Sequence, residues 1–140
     1  MVREIMHDPF FLSMKSSPAD VTNKADLKIA DDLTETLRKN AAMCVGMAAN
    51  MIGELKCIIV FYHNGDVVEM FNPEIVATSD PYDAMESCLS LQGGARPVKR
   101  YNKIKVRWQT RGAKTKMGTF TGDSAQRIQH EVDHCNGVLI

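Results

Sequence analysis

Two histidines four residues apart are the strongest chemical signal in this 140-residue sequence. His130 and His134 flank Glu131 in the segment HEVDH. On an α-helix this spacing places both imidazoles on one face, where they can bind a common divalent ion, and the neighbouring carboxylate reaches a water on that ion. The alternative is two unrelated surface histidines that share a helix by coincidence. We favour the first interpretation, which predicts a metal site with a general base beside it.

A third protein ligand must come from elsewhere, because a catalytic metal usually takes three protein ligands and leaves one position for water. Spacing alone does not choose this ligand, and four residues remain open: His7, His63, Cys88 and Asp133. Cys88 is favoured since it lies in an irregular stretch, although an isolated Cys is more often structural. The other cysteines are expected to be core thiols: Cys44, Cys57 and Cys135.

The helix that carries HEVDH is predicted to begin at Gly122-Asp123 and to end at Asn136-Gly137. Gln126 follows the Asp123 cap by three residues, which is typical of a capping box, and Gly137 is typical of a helix end. The histidines are expected on one face and an apolar stripe on the other, formed by Ile128, Val132 and Cys135.

Another helix is predicted from Thr22 or Asn23 to about Asn40, with leucines and alanine at helical spacing. A hairpin turn is expected at residues 63–66, and residues 79–100 are predicted to form a long irregular connection of the kind that carries function. Strands are predicted where β-branched and aromatic residues cluster, at Cys57–Tyr62, Val67–Phe71, Ile75–Thr78, Ile104–Trp108 and Lys116–Phe120.

The composition is that of a globular protein, with 44% hydrophobic and 24% charged residues. Lys plus Arg and Asp plus Glu balance at 17 each, so no net field would attract nucleic acid or anionic lipid. No apolar stretch is long enough for a membrane span, and the N-terminus lacks a secretory signal. We therefore expect one domain over residues 1–140, located in the cytoplasm.

Three segments together resemble the peptide deformylase family: Val45–Ala49 (VGMAA), Glu86–Ser90 (ESCLS) and Gln129–His134 (QHEVDH). Their order and separation also match the family, and the resemblance extends over nearly the whole chain. It implies an α+β fold in which small antiparallel sheets surround the C-terminal metal-binding helix. It also implies substrate contacts from the first two segments, at Val45, Gly46, Glu86 and Ser87.

The resemblance implies that Cys88, His130 and His134 bind one divalent ion, most often Fe²⁺, which Zn²⁺ or Ni²⁺ can replace. The implied reaction is hydrolysis of the formyl group from N-formylmethionine of nascent polypeptides, or from a related N-formyl amide. Metal-bound water would be the nucleophile and Glu131 the general base and acid, while the Leu89 amide would help to hold the oxyanion. We expect a monomer that associates with the ribosome only transiently.

The sequence departs from the family at Met51, where deformylases carry a glutamine that donates to the oxyanion. A thioether cannot donate, and the loss of one such donor typically costs about a hundredfold to a thousandfold in turnover. Asn50 offers an amide one position away, which normally points elsewhere. Cys44 and Ser87 replace glycines and could narrow the cleft.

Arg127, with Gln126 and Asp123, stands where deformylases usually enclose the methionine side chain with apolar residues. One hypothesis is a different formylated amine, such as a small one with a carboxylate. The alternative is an ordinary solvated or ion-paired arginine.

The sequence is also compatible with two other functions. A metal-binding protein with little turnover, acting as a ligand-binding module, is supported by Met51. A small zincin-like protease shares the HEVDH pattern, but a Cys ligand and the short chain argue against it.

Overall fold

A computed structural model describes all residues from 1 to 140. It contains three α-helices, a 3₁₀ turn at Ala49–Ile52 and five strands, so the α+β architecture expected from the sequence is confirmed. In chain order the elements are α1 (Pro9–Leu12), α2 (Lys24–Lys39), β1 (Gly46–Ala48), β2 (Ile58–His63), β3 (Asp66–Glu86), β4 (Arg96–Gln109), β5 (Thr115–Thr121) and α3 (Gly122–Cys135).

Helix α2 forms where the sequence predicts it. The Asn23 side chain caps it by accepting a hydrogen bond from the Ala25 amide, which satisfies one of the free donors of the first turn. Arg38 and Lys39 lie in the last turn, where the helix dipole favours cations. The short helix α1 is absent from the sequence prediction. Asp8 caps it by accepting from the Phe10 amide.

The five strands form one antiparallel sheet in the order β1-β2-β3-β4-β5. The predicted hairpin joins β2 to β3 through Asn64 and Gly65, which both have positive φ, at 53° and 87°. Two such residues are what a type I′ hairpin turn requires. The turn therefore fixes the register of β2 against β3.

The predicted irregular connection over residues 79–100 is wrong for most of its length. Strand β3 continues to Glu86 and β4 begins at Arg96, so only residues 87–95 are irregular. Pro81 and Pro97 are tolerated because these ends of β3 and β4 pair only with each other and leave one edge free. Regular strands thus lead directly into the loop that contains Cys88.

Strand β2 is buried on both faces and divides the core in two. Ile58 and Val60 pack in the cluster that contains the leucines of α2, whereas Ile59 and Phe61 pack in the cluster that contains Ile128 of α3. Alternate residues of a strand point to opposite faces, which explains this division. The sheet therefore lies between the two long helices. No helix has the length and apolar character that crossing a membrane requires.

Candidate metal centre and cleft

Helix α3 begins and ends where it was predicted, but its first turn is capped differently. The N-cap is Thr121, whose side chain makes no capping bond. Gln126 is not part of a capping box, since its Nε2 donates to Glu86 Oε2 at 2.8 Å. At the other end Gly137 has φ +76°, and a Cβ at this position would lie 2.4 Å from the Ser13 carbonyl oxygen. The end of the helix is thus packed tightly against the N-terminal segment.

The side chains of Cys88, His130 and His134 meet at one point. One potential ligand atom from each lies within 4.8 Å of the other two, and all three residues are buried. The two Nε2 atoms are 3.1 Å apart. Tetrahedral coordination with bonds of about 2.0–2.1 Å puts two nitrogens about 3.3 Å apart. The geometry of this donor set therefore fits a single metal ion.

The other candidates for the third ligand make contacts elsewhere. The His7 ring lies 3.2 Å from the Ser90 carbonyl oxygen through Nδ1, and the His63 ring lies 2.6 Å from the Ser124 hydroxyl. Asp133 accepts from Arg100 at 2.6 Å. Only Cys88 joins the two histidines of α3.

A buried ionic network holds the ring of His130. Its Nδ1 lies 2.8 Å from Glu86 Oε1, and Arg100 binds the same carboxylate through Nε and Nη2. Burial opposes ionisation of Glu86, but hydrogen bonds from His130, Arg100 and Gln126 hold its pKa at about 2. A carboxylate on the second ring nitrogen is the usual way in which proteins orient a metal-binding histidine. The network leaves Nε2 of His130 directed at the donor cluster.

The electrostatics at the donor cluster favour a cation. Burial lowers the pKa of His130, but Glu131, Cys88 and Glu86 outweigh it and raise that pKa to about 10. Burial and the neighbouring His130 charge lower the pKa of His134 to about 3. A metal ion has to displace the proton on His130, so we expect metal binding to release protons.

Glu131 is buried beside the donor cluster, with 4% of its surface exposed. Burial raises the pKa of its carboxyl to about 7, against the opposing charge of His130, and its Oε1 has no hydrogen-bond partner. An added Cβ at Gly46 would lie 3.0 Å from Glu131 Oε2, which is tighter than an ordinary contact, so glycine at this position leaves room for the carboxylate. Such a carboxyl can both accept and return a proton near neutral pH.

A cleft of about 590 Å³ opens at this point. It brings together most of the predicted site residues, while His134 lies behind them. The lining consists of Met43, Cys44, Val45, Gly46, Met51, Glu86, Ser87, Cys88, Leu89, Asp123, Gln126, Arg127, His130 and Glu131. Met51 faces this cleft, whereas the Asn50 amide is directed at the His134 carbonyl.

Two residues that line the cleft, Cys44 and Arg127, make contacts that the sequence did not predict. Cys44 packs against the core, as predicted, but also lines the cleft. Its thiol donates to the Gly46 carbonyl at 2.8 Å, and burial raises its pKa to about 12. Arg127 is neither free nor paired with an acid, because its Nη1 donates to the Tyr62 carbonyl at 2.7 Å. Cys57 and Cys135 pack in the α3 cluster as expected.

Arg100 is the main site residue that the sequence analysis missed. It is 4% exposed and joins Glu86 to Asp133. The sequence offers little indication of this role, because Arg100 ends the segment that was predicted to be irregular. Its burial follows from the sheet, in which Arg100 pairs with Tyr82.

Comparisons with known proteins agree with this geometry. The profile of the polypeptide deformylase family matches residues 2–140. A peptide deformylase of Clostridium beijerinckii is 46% identical over 140 residues, which cover all of both chains. One of Thermoanaerobacter pseudethanolicus is 36% identical over 128 residues, covering 91% of this chain and 79% of that protein.

Solved structures show the same likeness in three dimensions. A class I type b peptide deformylase of Acinetobacter baumannii with Met-Ala-Ser bound matches with a TM-score of 0.89 at 26% identity, covering 99% of this chain and 97% of that one. The peptide deformylase of Thermotoga maritima matches with a TM-score of 0.89 at 28% identity, covering 99% and 95%. The chain therefore belongs to the polypeptide deformylase family of hydrolases.

Proposed function

We propose that this protein removes the formyl group from N-formylmethionine at the start of nascent polypeptides, or from a closely related N-formyl amide. The observation that carries this proposal is the placement of Glu131 beside the Cys88, His130 and His134 cluster, at the floor of an open cleft. The Met-Ala-Ser peptide bound by the Acinetobacter baumannii relative supports a methionine at the first position. The comparisons give no support to a binding module without turnover.

We propose Cys88, His130 and His134 as the ligands and Fe²⁺ as the native metal, with Zn²⁺ or Ni²⁺ as substitutes. A thiolate and imidazoles are suited to all three ions. Bound there, the ion would supply Lewis acidity and make water nucleophilic near neutral pH. The Glu86 carboxylate on Nδ1 of His130 keeps that ring in the orientation that the cluster needs.

Glu131 is proposed to move the proton. Its pKa near 7 lets it accept a proton from the attacking water and pass that proton to the departing amine. Leu89 is proposed as the oxyanion donor, since its N–H makes no backbone hydrogen bond and the residue lines the cleft. Met51 lies at the same cleft without a donor.

The first two family segments are proposed to bind the peptide. Val45, Gly46, Glu86 and Ser87 all line the cleft, and β1 is an edge strand beside it. Arg127 is proposed to be structural rather than selective, because its guanidinium is bound to the Tyr62 carbonyl. This favours a methionine side chain over one with a carboxylate.

We further propose that residues 1–140 form one domain that acts as a monomer in the cytoplasm and meets the ribosome only transiently. The equal numbers of acidic and basic residues support weak, transient contact with ribosomal RNA.

The test is deformylation of formyl-Met peptides and a panel of other formylated amines by protein loaded anaerobically with iron. The Glu131→Ala variant, loaded in the same way, controls for contaminating enzyme. We expect turnover on formyl-Met peptides that the variant lacks. Stoichiometric metal without turnover on any substrate would contradict the proposal.

A further inference from the structure

Asn50 is a buried amide that contacts the metal-binding helix. It lies in the 3₁₀ turn Ala49–Ile52, next to Met51, and is fully buried. Its Nδ2 donates to the carbonyl oxygen of His134 at 3.0 Å, across 84 residues of sequence. Asn50 thus joins the turn that borders the cleft to the residue that completes the donor cluster.

The His134 carbonyl belongs to the last turn of α3, where carbonyls lack partners within the helix. It accepts from the Gly137 amide at 3.0 Å and from Asn50. The second bond ties the backbone of His134 to the 3₁₀ turn Ala49–Ile52. His130 is held through its ring by Glu86, whereas His134 has no ring contact of this kind.

Two buried polar atoms at this contact have no hydrogen-bond partner: Asn50 Oδ1 and His134 Nδ1. If His134 binds a cation through Nε2, its proton must reside on Nδ1, which then needs an acceptor. Asn50 Oδ1 is an acceptor with no other partner, and it belongs to a residue that already contacts His134. A hydrogen bond between these two atoms would satisfy both.

We propose that Asn50 is the positioning residue of His134, holding its backbone through Nδ2 and its Nδ1–H through Oδ1. This inference rests on the proposed role of His134 as a ligand. It also divides the work of two neighbours, since Met51 faces the cleft and Asn50 faces the helix. Asn50 is therefore not a replacement for the missing oxyanion donor.

The test is the affinity for Zn²⁺, measured by competition with a chromogenic chelator, in the wild type and in Asn50→Leu. Loss of such a partner typically weakens metal binding about 10-fold to 100-fold, and we expect a loss in that range. Gln129→Leu is the matched control. Gln129 is also a buried amide and lies in the same helix as His134, but its amide forms hydrogen bonds with the Tyr101 backbone. Gln129→Leu should lower stability and leave metal affinity unchanged.

The Co²⁺ absorption spectrum provides a second measurement, which should change in Asn50→Leu and not in Gln129→Leu. If Asn50→Leu does not fold, ¹⁵N-histidine NMR of the zinc-loaded wild type replaces it. We expect the His134 Nδ1–H to exchange slowly with water.

Equal affinity and spectrum in Asn50→Leu and the wild type would overturn the positioning role, as would rapid exchange of that proton. A wild type that binds no metal would instead contradict the proposed function.

Discussion

The two faces of helix α3 bury different kinds of side chain. On one face Ala125 and Ile128 pack with β2 and β4 side chains in a cluster of hydrophobic side chains. On the other, His130, Glu131 and His134 are equally buried but polar, and two of their atoms have no partner in the protein. Burial of apolar surface stabilises the fold, whereas burial of unpaired polar atoms costs free energy. The metal face therefore depends on the core face for its geometry.

The largest effect is expected from Arg100→Leu, which removes the cation from the network under His130. The buried Glu86 carboxylate and Asp133 would lose their guanidinium partner, and breaking a buried pair in this way costs about 3–5 kcal/mol. The free energy of unfolding, measured in urea, should fall by that amount. Arg107→Leu breaks the exposed pair with Glu74 and should cost less than about 1 kcal/mol. Similar losses in both would show that the metal face is not held by the buried network.

On the core face, Ile128→Ala should lower the free energy of unfolding by about 2–5 kcal/mol, because Ile128 is fully buried and its removal leaves a cavity. Turnover per folded molecule should be unchanged, as measured after correction for the folded fraction. A large loss of turnover in fully folded protein would mean that the two faces are not separable.

Met51→Gln adds a hydrogen-bond donor to the cleft beside the metal face, where the Met51 thioether provides none. The glutamine amide would donate a hydrogen bond to the oxyanion of the transition state, so kcat should rise by about a hundredfold or more with little change in KM. Met51→Leu adds no donor and should leave kcat unchanged. An equal response of the two variants would show that chain shape, rather than hydrogen bonding, limits turnover.

Glu86, the β3 residue that contacts His130 of the metal face, should make the stability of the fold sensitive to acid. The pKa of Glu86 is about 2 in the folded protein and 4.5 as a free group, so its ionisation stabilises the fold above pH 4.5. This contribution, on the order of 3 kcal/mol, is lost as the pH falls towards 2. Urea denaturation at pH 6 and pH 2.5 should show a smaller pH effect in Glu86→Gln. An equal slope in both proteins would exclude Glu86 as the source.

The smallest effect is expected from Arg127→Val, because Arg127 already donates to a backbone carbonyl. The ratio of kcat/KM for formyl-Met peptides to that for formyl peptides with an acidic first residue should change by about twofold or less. A reversal of this preference would restore the hypothesis of a substrate that carries a carboxylate.

Local patterns were enough to predict α3, α2 and the hairpin, because helical spacing, caps and an Asn-Gly turn are written in neighbouring residues. The extent of β3 and β4 was not predictable in this way. Pro81 and Pro97 suggest a loop until it is known that each faces a free strand edge.

The donor cluster shows the same limit. His130 and His134 followed from spacing, while the choice of Cys88 needed the family resemblance. The roles of Arg100 and Asn50 depend on contacts across 14 and 84 residues, which no local pattern reveals. Gln126 satisfied a local capping pattern, but its bond to Glu86 prevailed in the fold.

The distance in sequence between the parts of the donor cluster has a consequence for folding kinetics. Cys88 lies in the loop between β3 and β4 whereas His130 lies in α3, so the chain between them must close into a loop before the site exists. An unfolded or partly folded chain offers an ion only the two histidines of α3, and such an ion would be lost easily. We therefore expect the metal ion to enter after the sheet has formed, and the retained ion to slow unfolding rather than to speed folding.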